Sequence, residues 1–531
     1  MLRASLGPNH SGGVGLPTYG RARGRAVGPG PAPVSGGADP GLAASIAIPA
    51  LCQIDAVPLA AMIRRREVSA CEVMAAYLDH IEAANPRVNA IVSLRPRAEL
   101  LTEAEEADRA VARGDSLGPL HGLPQAIKDL AATKGLRTTL GSPLFADQVP
   151  ETDAIFVARM RAAGAIIIGK TNVPEFGYGS NSYNPVFGLT RNAWDPSRVG
   201  GGSSGGAAVA LATRMLPVAD GGDMGGSLRN PAAFNNVFGF RPSQGRVPAD
   251  TPDPFYGQMA VEGPMGRSVR DVAMLLSVQA GYAPRAPLSL DDPGFRFEDR
   301  LAEGTGALRC GWLGDLGGHL PFEPGVLELC TGALDLFRQM GGTVEEARVD
   351  FDPERLWRAF VTLRQQSIGG RHDAAWRDLA QRPLLKPEAL WEIEGSHRLT
   401  ALDVYKAGLD RGAWYKTFTA LFERFDVLLI PSAQVFPFEA GINWPAEING
   451  RRMDSYHRWM EVVVGATMAG CPAISVPAGF DSRGLPMGLQ IIGPPRGDLR
   501  VLQAAARYEA VYPWIDRLPT WLDAVPGRPG G

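Results

Sequence analysis

A chain of 531 residues is long enough for several domains, or for one large α/β domain with insertions. Apolar residues make up 45% of it, which supports a sizeable core and excludes disorder of the whole chain. The 53 basic and 56 acidic residues leave a net charge of −3, so there is no strong basic field to hold nucleic acid or an acidic membrane surface.

The five cysteines (Cys52, Cys71, Cys310, Cys330 and Cys471) are scattered and form no C-x-x-C pair. Neither a disulfide framework nor a thiolate zinc site is indicated, and a reducing, cytoplasmic compartment fits. No apolar run reaches the ~18 residues of a membrane span. Only six basic residues are lysines: Lys128, Lys134, Lys170, Lys386, Lys406 and Lys416. Lysine can lose its proton in a protein and arginine cannot, so a lysine in an apolar setting is a candidate base.

Residues 1–48 read as a disordered Gly/Pro-rich tail, and 49–531 as the folded part. Ser69 to Glu72 is a capping box that opens a helix carrying Val73, Ala76, Tyr77, His80 and Ile81. Val88–Leu94 reads as a strand, and Glu99–Arg113 as a helix stopped by Gly114. Pro124–Lys128 is a short apolar strand ending in a lysine. Asp153–Ala163 reads as a helix, Ala165–Ile168 as a buried strand, and Gly205–Ala212 as a helix of small residues. Ser268 with Asp271 caps a further helix through Leu276. Residues 324–340 and 354–380 look helical, while Asp426–Ile430 and Ala473–Val476 read as buried strands. Helix and strand alternate, which predicts an α/β fold with a mainly parallel sheet. No boundary splits the chain cleanly, so one large domain with an inserted helical section near 325–460 is expected.

Two glycine-rich turns stand out: Gly200–Gly206, carrying Ser203 and Ser204, and Gly221–Ser227. Taken alone, the first fits a dinucleotide fingerprint, a nucleophile elbow or a plain helix-capping turn. The first two need a strand immediately before it, where Trp194–Arg198 reads as a turn. No Lys-Ser/Thr follows, which excludes a P-loop. Consecutive glycines let backbone N–H groups converge on one point, and a serine beside such a nest suits acyl transfer. The serine needs a base. His121, the one histidine near these motifs, reads as structural. Lys128 is the better candidate, since burial at a strand end disfavours its charged form; the plainer reading pairs it with Asp129. Lys170 reads as a structural ion pair. Neither Ser-x-x-Lys nor His-Glu-x-x-His occurs.

Read in order, Gly169–Phe176, Asn184-Pro185, Thr190–Arg198, Gly201–Gly206, Asp223–Arg229, Gly239–Val247, Gly263-Pro264-Met265, Pro472–Pro477 and Gly484–Gln490 resemble the amidase signature family, over about residues 54–515. The resemblance implies a single large α/β domain, with a mixed, mostly parallel twisted central sheet covered by helices on both faces. The signature core would lie at about 120–275 and the helical insertion at about 325–460. It further implies amide hydrolysis by a Ser–Ser–Lys triad: Ser227 the nucleophile, Ser203 a bridging serine on a cis peptide, Lys128 the buried base. The N–H groups of Met224, Gly225, Gly226 and Ser227 would form the oxyanion hole, with Gly177 also contacting substrate, and Asp223 and Arg229 would brace the glycine turn. The expected partner is a small-molecule amide, with no metal or organic cofactor, no nucleic acid and no membrane; a homodimer is compatible. Three positions depart from the family pattern: Gly222 replaces a Ser or Thr, Ala193 a proline, and Asn230 the Gln of sequences like the A-type component of the tRNA-dependent amidotransferase. A glutamine-hydrolysing component of that type and a non-catalytic binding protein are the competing readings. Trp357, Trp376, Trp391, Trp414, Trp444 and Trp459, with Phe255, Tyr256, Tyr405, Tyr415 and Phe436, are expected either to line an apolar pocket selecting aryl amides or simply to pack helices.

Overall fold

The computed structural model describes residues 45–255, 259–291, 294–304, 306–512 and 517–524. An eight-stranded sheet runs in the order Thr343–Glu346, Arg309–Trp312, Val427–Pro431, Pro486–Ile492, Ala473–Phe480, Phe238–Arg241, Val261–Gly266, Val218–Asp223. Helices flank it, so the α/β class and the mixed sheet stand. The expectation of a mostly parallel sheet does not. Five of the seven pairings are antiparallel, and only Arg309–Trp312 pairs in parallel, with both of its neighbours. Alternation of helix and strand along the chain does not dictate which strands become neighbours. Between Ala473–Phe480 and Pro486–Ile492 the link is too short for a parallel crossover, so the two close as a hairpin.

A second sheet of three strands, Ile91–Val92, Ile166–Thr171 and Pro124–Lys128, lies beside the open edge of Val218–Asp223. Side chains make that junction. Gln125 Nε2 donates to the Val218 carbonyl at 2.9 Å, and the Lys128 N–H donates to the Asp220 carboxylate at 3.1 Å. This places the end of the lysine strand against the strand that leads into the second glycine turn.

Local signals fared well where they were strong. Ser69 and Glu72 form both halves of the capping box, Gly114 closes the Arg97–Arg113 helix at φ +76°, and Ser268 caps Val269–Gln279. Elsewhere the boundaries moved. The Ala70–Val88 helix continues into the segment expected as a strand, which shrinks to Ile91–Val92. Ile46–Ile48, assigned to the tail, is a strand parallel to Leu522–Ala524; three residues carry no periodicity that could be recognised without the partner. The rest of the tail, 1–44, lies outside the described residues. The 325–460 section holds the long helices Pro353–Arg377 and Ala401–Ala420 but also contributes the strands Thr343–Glu346 and Val427–Pro431 to the main sheet. Among the described residues, no helix is long and apolar enough to cross a membrane.

Candidate active site

Every residue of Pro124–Lys128 is buried, and Lys128 ends the strand at 2% exposure. Its Nζ donates to Ser203 Oγ at 2.8 Å, Ser204 Oγ at 2.9 Å and the Gly222 carbonyl at 3.1 Å. Those are all three donors of an ammonium. Burial pushes the lysine down from 10.5 to about 8, against the opposing charges of Glu262, Asp220 and Asp223. Asp129 is not its partner; that carboxylate accepts from the Thr139 N–H and hydroxyl. Lys170 is also pushed down to about 8 by burial. Its Nζ is spent on the Ala131 carbonyl at 2.7 Å and Thr133 Oγ1 at 2.8 Å, hydrogen bonds in place of the expected ion pair. His121 is buried, with a ring nitrogen on the Ala107 carbonyl. Similar proton affinity in two lysines therefore does not distinguish them; position does.

Each glycine turn runs into a short, wholly buried helix, Gly205–Ala212 after the first and Arg229–Asn235 after the second. The Ser204 N–H donates to the Ser227 carbonyl at 3.2 Å and ties the two turns together. The Gly202–Ser203 peptide is cis. Lys128, Ser203 and Ser227 all line one cavity of about 250 Å³, together with Gly177, Asp223, Met224 and Gly225. A larger groove of about 910 Å³, between the Val326–Gln339 helix and Ala478–Arg483, contains none of them.

The second turn is held from below. Asp223 pairs with Arg229 at 3.0 Å and Arg241 at 3.2 Å, all three side chains fully buried. Burial alone would raise the Asp223 carboxyl, but the two guanidiniums hold it well below the usual carboxylate range. Asp223 also accepts the Gly226 N–H at 2.9 Å and the Leu228 N–H at 3.2 Å. Of the four N–H groups expected to face an oxyanion, that of Gly226 is thus engaged in bracing the turn. Gly226 sits at φ +91°, and a Cβ there would fall 2.3 Å from Asn230 Oδ1, so only glycine fits. Gly177 gives its own N–H to Pro174, and a Cβ on it would approach Ser203 Oγ to 3.5 Å. Arg229 continues to Gln490 Oε1 at 2.7 Å, Thr467 Oγ1 at 2.9 Å and the Val463 carbonyl at 2.9 Å.

Of the two readings of the aromatic residues, the structure takes helix packing for the tryptophans, and none of the described residues of that set lines the cavity. Trp357 and Trp414 are core, Trp459 packs on Phe234 and Phe438, and Phe436 is buried. Trp391 and Trp444 pack on Tyr456, and Trp376 on His397. Phe255, Tyr405 and Tyr415 are exposed, and Tyr256 lies outside the described residues. The cavity wall instead takes Phe176 and Tyr178, with ring centroids 5.7 Å apart, and His372, 4.3 Å from Phe176. Apolar spacing on a helix marks a buried face without saying whether a core or a cavity lies opposite, which is why both readings of the tryptophans stood open on sequence alone.

Sequence reasoning passed over three residues here. Ser204 lies inside the first glycine motif, and its adjacency to Ser203 was the available signal. Arg364 reaches Glu392, Tyr456 and the Met224 Sδ from the long helix, and Glu262 faces Gly222 across two strands. Both are long-range contacts with no local signature.

An α/β fold thus gathers a buried lysine and two glycine-turn serines into one cavity, a set of groups suited to acyl transfer. Residues 72–502 match the family model described as Amidase, and the chain belongs to the amidase signature family and is an amide hydrolase. An acylamidase from Rhodococcus erythropolis is 34% identical over 471 residues, covering 88% of this chain and 97% of its own. The A-type component of the glutamyl-tRNA(Gln) amidotransferase of Thermus thermophilus is 37% identical over 476 residues, covering 85% and 95%. Among solved structures, a bacterial aryl acylamidase of the amidase signature family superposes with a TM-score of 0.82 at 29% identity, covering 87% of this chain and 98% of its own.

Proposed function

We propose that the chain hydrolyses a small aryl or apolar acyl amide through a Ser227–Ser203–Lys128 triad and an acyl-enzyme. The observation that carries this is the 2.8 Å contact between Lys128 Nζ and Ser203 Oγ inside the cavity that Ser227 also lines. Neutral Lys128 takes the Ser203 proton while Ser203 takes that of Ser227. The freed Ser227 oxygen then adds to the amide carbonyl. The N–H groups of Met224, Gly225 and Ser227 stabilise the oxyanion, a contribution of about 3–4 kcal/mol for one such donor. Ser203 returns a proton to the amide nitrogen, the C–N bond breaks, and ammonia or an amine leaves. Water, deprotonated by the same relay, cleaves the ester and restores Ser227.

Incubation with a fluorophosphonate followed by peptide mapping tests this reading. A single adduct on Ser227 is expected, and an adduct elsewhere, or none on folded protein, overturns it. The wall of Phe176, Tyr178 and Ile368 supports aryl selectivity. Aryl amides are expected to show kcat/KM at least tenfold above short aliphatic ones, and the reverse order would sink that part. The 37% identity to the amidotransferase component favours one second reading, glutamine hydrolysis. It predicts ammonia release from glutamine exceeding that from any aryl amide. Asn230 speaks against it: its amide is already engaged, with Nδ2 on the Ser432 carbonyl at 2.7 Å and Oδ1 accepting from Ser180.

A further inference from the structure

Gly222 and Glu262 are direct partners across the antiparallel pair Val218–Asp223 and Val261–Gly266. A Cβ on residue 222 would stand 2.6 Å from Glu262 Oε2. The missing side chain at this position therefore opens the space the carboxylate occupies. On its other side, the Gly222 carbonyl accepts from Lys128 Nζ at 3.1 Å. Carboxylate and amine thus flank a single residue, and both line the cavity that contains Ser203 and Ser227.

We propose that Glu262 is a positioning residue for the base: its carboxylate, admitted by Gly222, fixes how readily Lys128 holds its proton and so the pH at which Ser227 becomes nucleophilic. This rests on the triad reading of the site. Three acidic groups act on Lys128 from the neighbouring strands. Asp220 accepts the backbone N–H of Lys128, and burial pushes it up to about 6. Asp223 is neutralised by Arg229 and Arg241. Glu262 exerts the largest of the three effects, and burial, opposed by Lys128, pushes it up to about 7. On the adjoining strand Lys170 is held by Ala131 and Thr133, and Arg364, Arg371 and His372 face the cavity from the Pro353–Arg377 helix. Glu262 and Lys128 consequently titrate as a pair, with two macroscopic steps that belong to neither alone.

The sign follows from charge. An ionised Glu262 favours the ammonium, and the triad needs the free amine. Neutralising Glu262 therefore frees Lys128 at lower pH. The test is the rate of Ser227 labelling by a fluorophosphonate against pH, a readout independent of any substrate charge. In E262Q the acid limb is expected to move down by up to roughly one pH unit. Labelling runs several-fold faster just below the wild-type limb, where Glu262 is ionised and Lys128 still protonated, and converges with the wild type well below pH 7, where Glu262 is itself protonated. Structural damage does not accelerate a reaction. E262D should keep the wild-type limb, and G222S, which crowds the carboxylate away, should shift it in the same direction as E262Q. A limb unchanged in E262Q, or a uniform loss at every pH, overturns the proposal while leaving the triad standing, provided that wild-type labelling falls on Ser227 and vanishes in K128A. Labelling that survives K128A overturns both.

Discussion

A Lys128→Ala variant is expected to lose kcat/KM by about 10⁴-fold or more while remaining folded. The size of the loss follows from the geometry. In the proposed relay Lys128 is the proton acceptor, its Nζ 2.8 Å from Ser203 Oγ. His121 is tied to Ala107, and the similarly depressed Lys170 is held on Ala131 and Thr133. The decisive measurement is single-turnover acylation of Ser227 followed by mass spectrometry. Lys128→Arg should fare no better than alanine, because a guanidinium keeps its proton and cannot serve as a base. Robust acylation in either variant would remove lysine from the mechanism.

An Asp223→Asn variant is expected to lose about 3–5 kcal/mol of stability, because it leaves the buried Arg229 and Arg241 uncompensated. The pH dependence gives a signature. The Asp223 carboxyl lies below its unfolded value, so its contribution is complete above the usual carboxylate range and is lost only as acid protonates the folded group. Urea titrations should show a wild-type advantage that is constant from neutrality down to about pH 4 and closes below it. An advantage that instead shrinks between pH 8 and 6 would assign the effect to another group. Ser227 labelling should slow as well, because the Gly226 and Leu228 N–H groups lose their charged acceptor.

How much of this was legible without coordinates depended on range. Lys128, Ser203 and Ser227 each sit on a local signal, a strand end or a glycine turn, and the structure brings all three to one cavity. The capping residues Ser69, Gly114 and Ser268 were equally local. What escaped was set by pairing across long stretches of chain. The Gly222–Glu262 contact exists only because two strands align in one register, and the direction of the sheet depends on which strands meet. The tryptophans took the packing role that was one of their two readings. Phe176, which ends a motif already singled out, and Tyr178, two residues on and in no motif, line the cavity.

The reach of Arg229 to Gln490 spans 261 positions. The three proposed triad residues leave the ribosome early, but the groups that steady the arginine behind Ser227, at Val463, Thr467 and Gln490, come from the last strands and helices. At about 5–20 residues per second, roughly 10–50 s of synthesis separates the two. A nascent or truncated chain can therefore carry every residue of the proposed triad and still lack the clasp that fixes its nucleophile turn. Competence is in this sense a checkpoint on completeness, and a premature fragment ending near residue 275 would be inert toward amides.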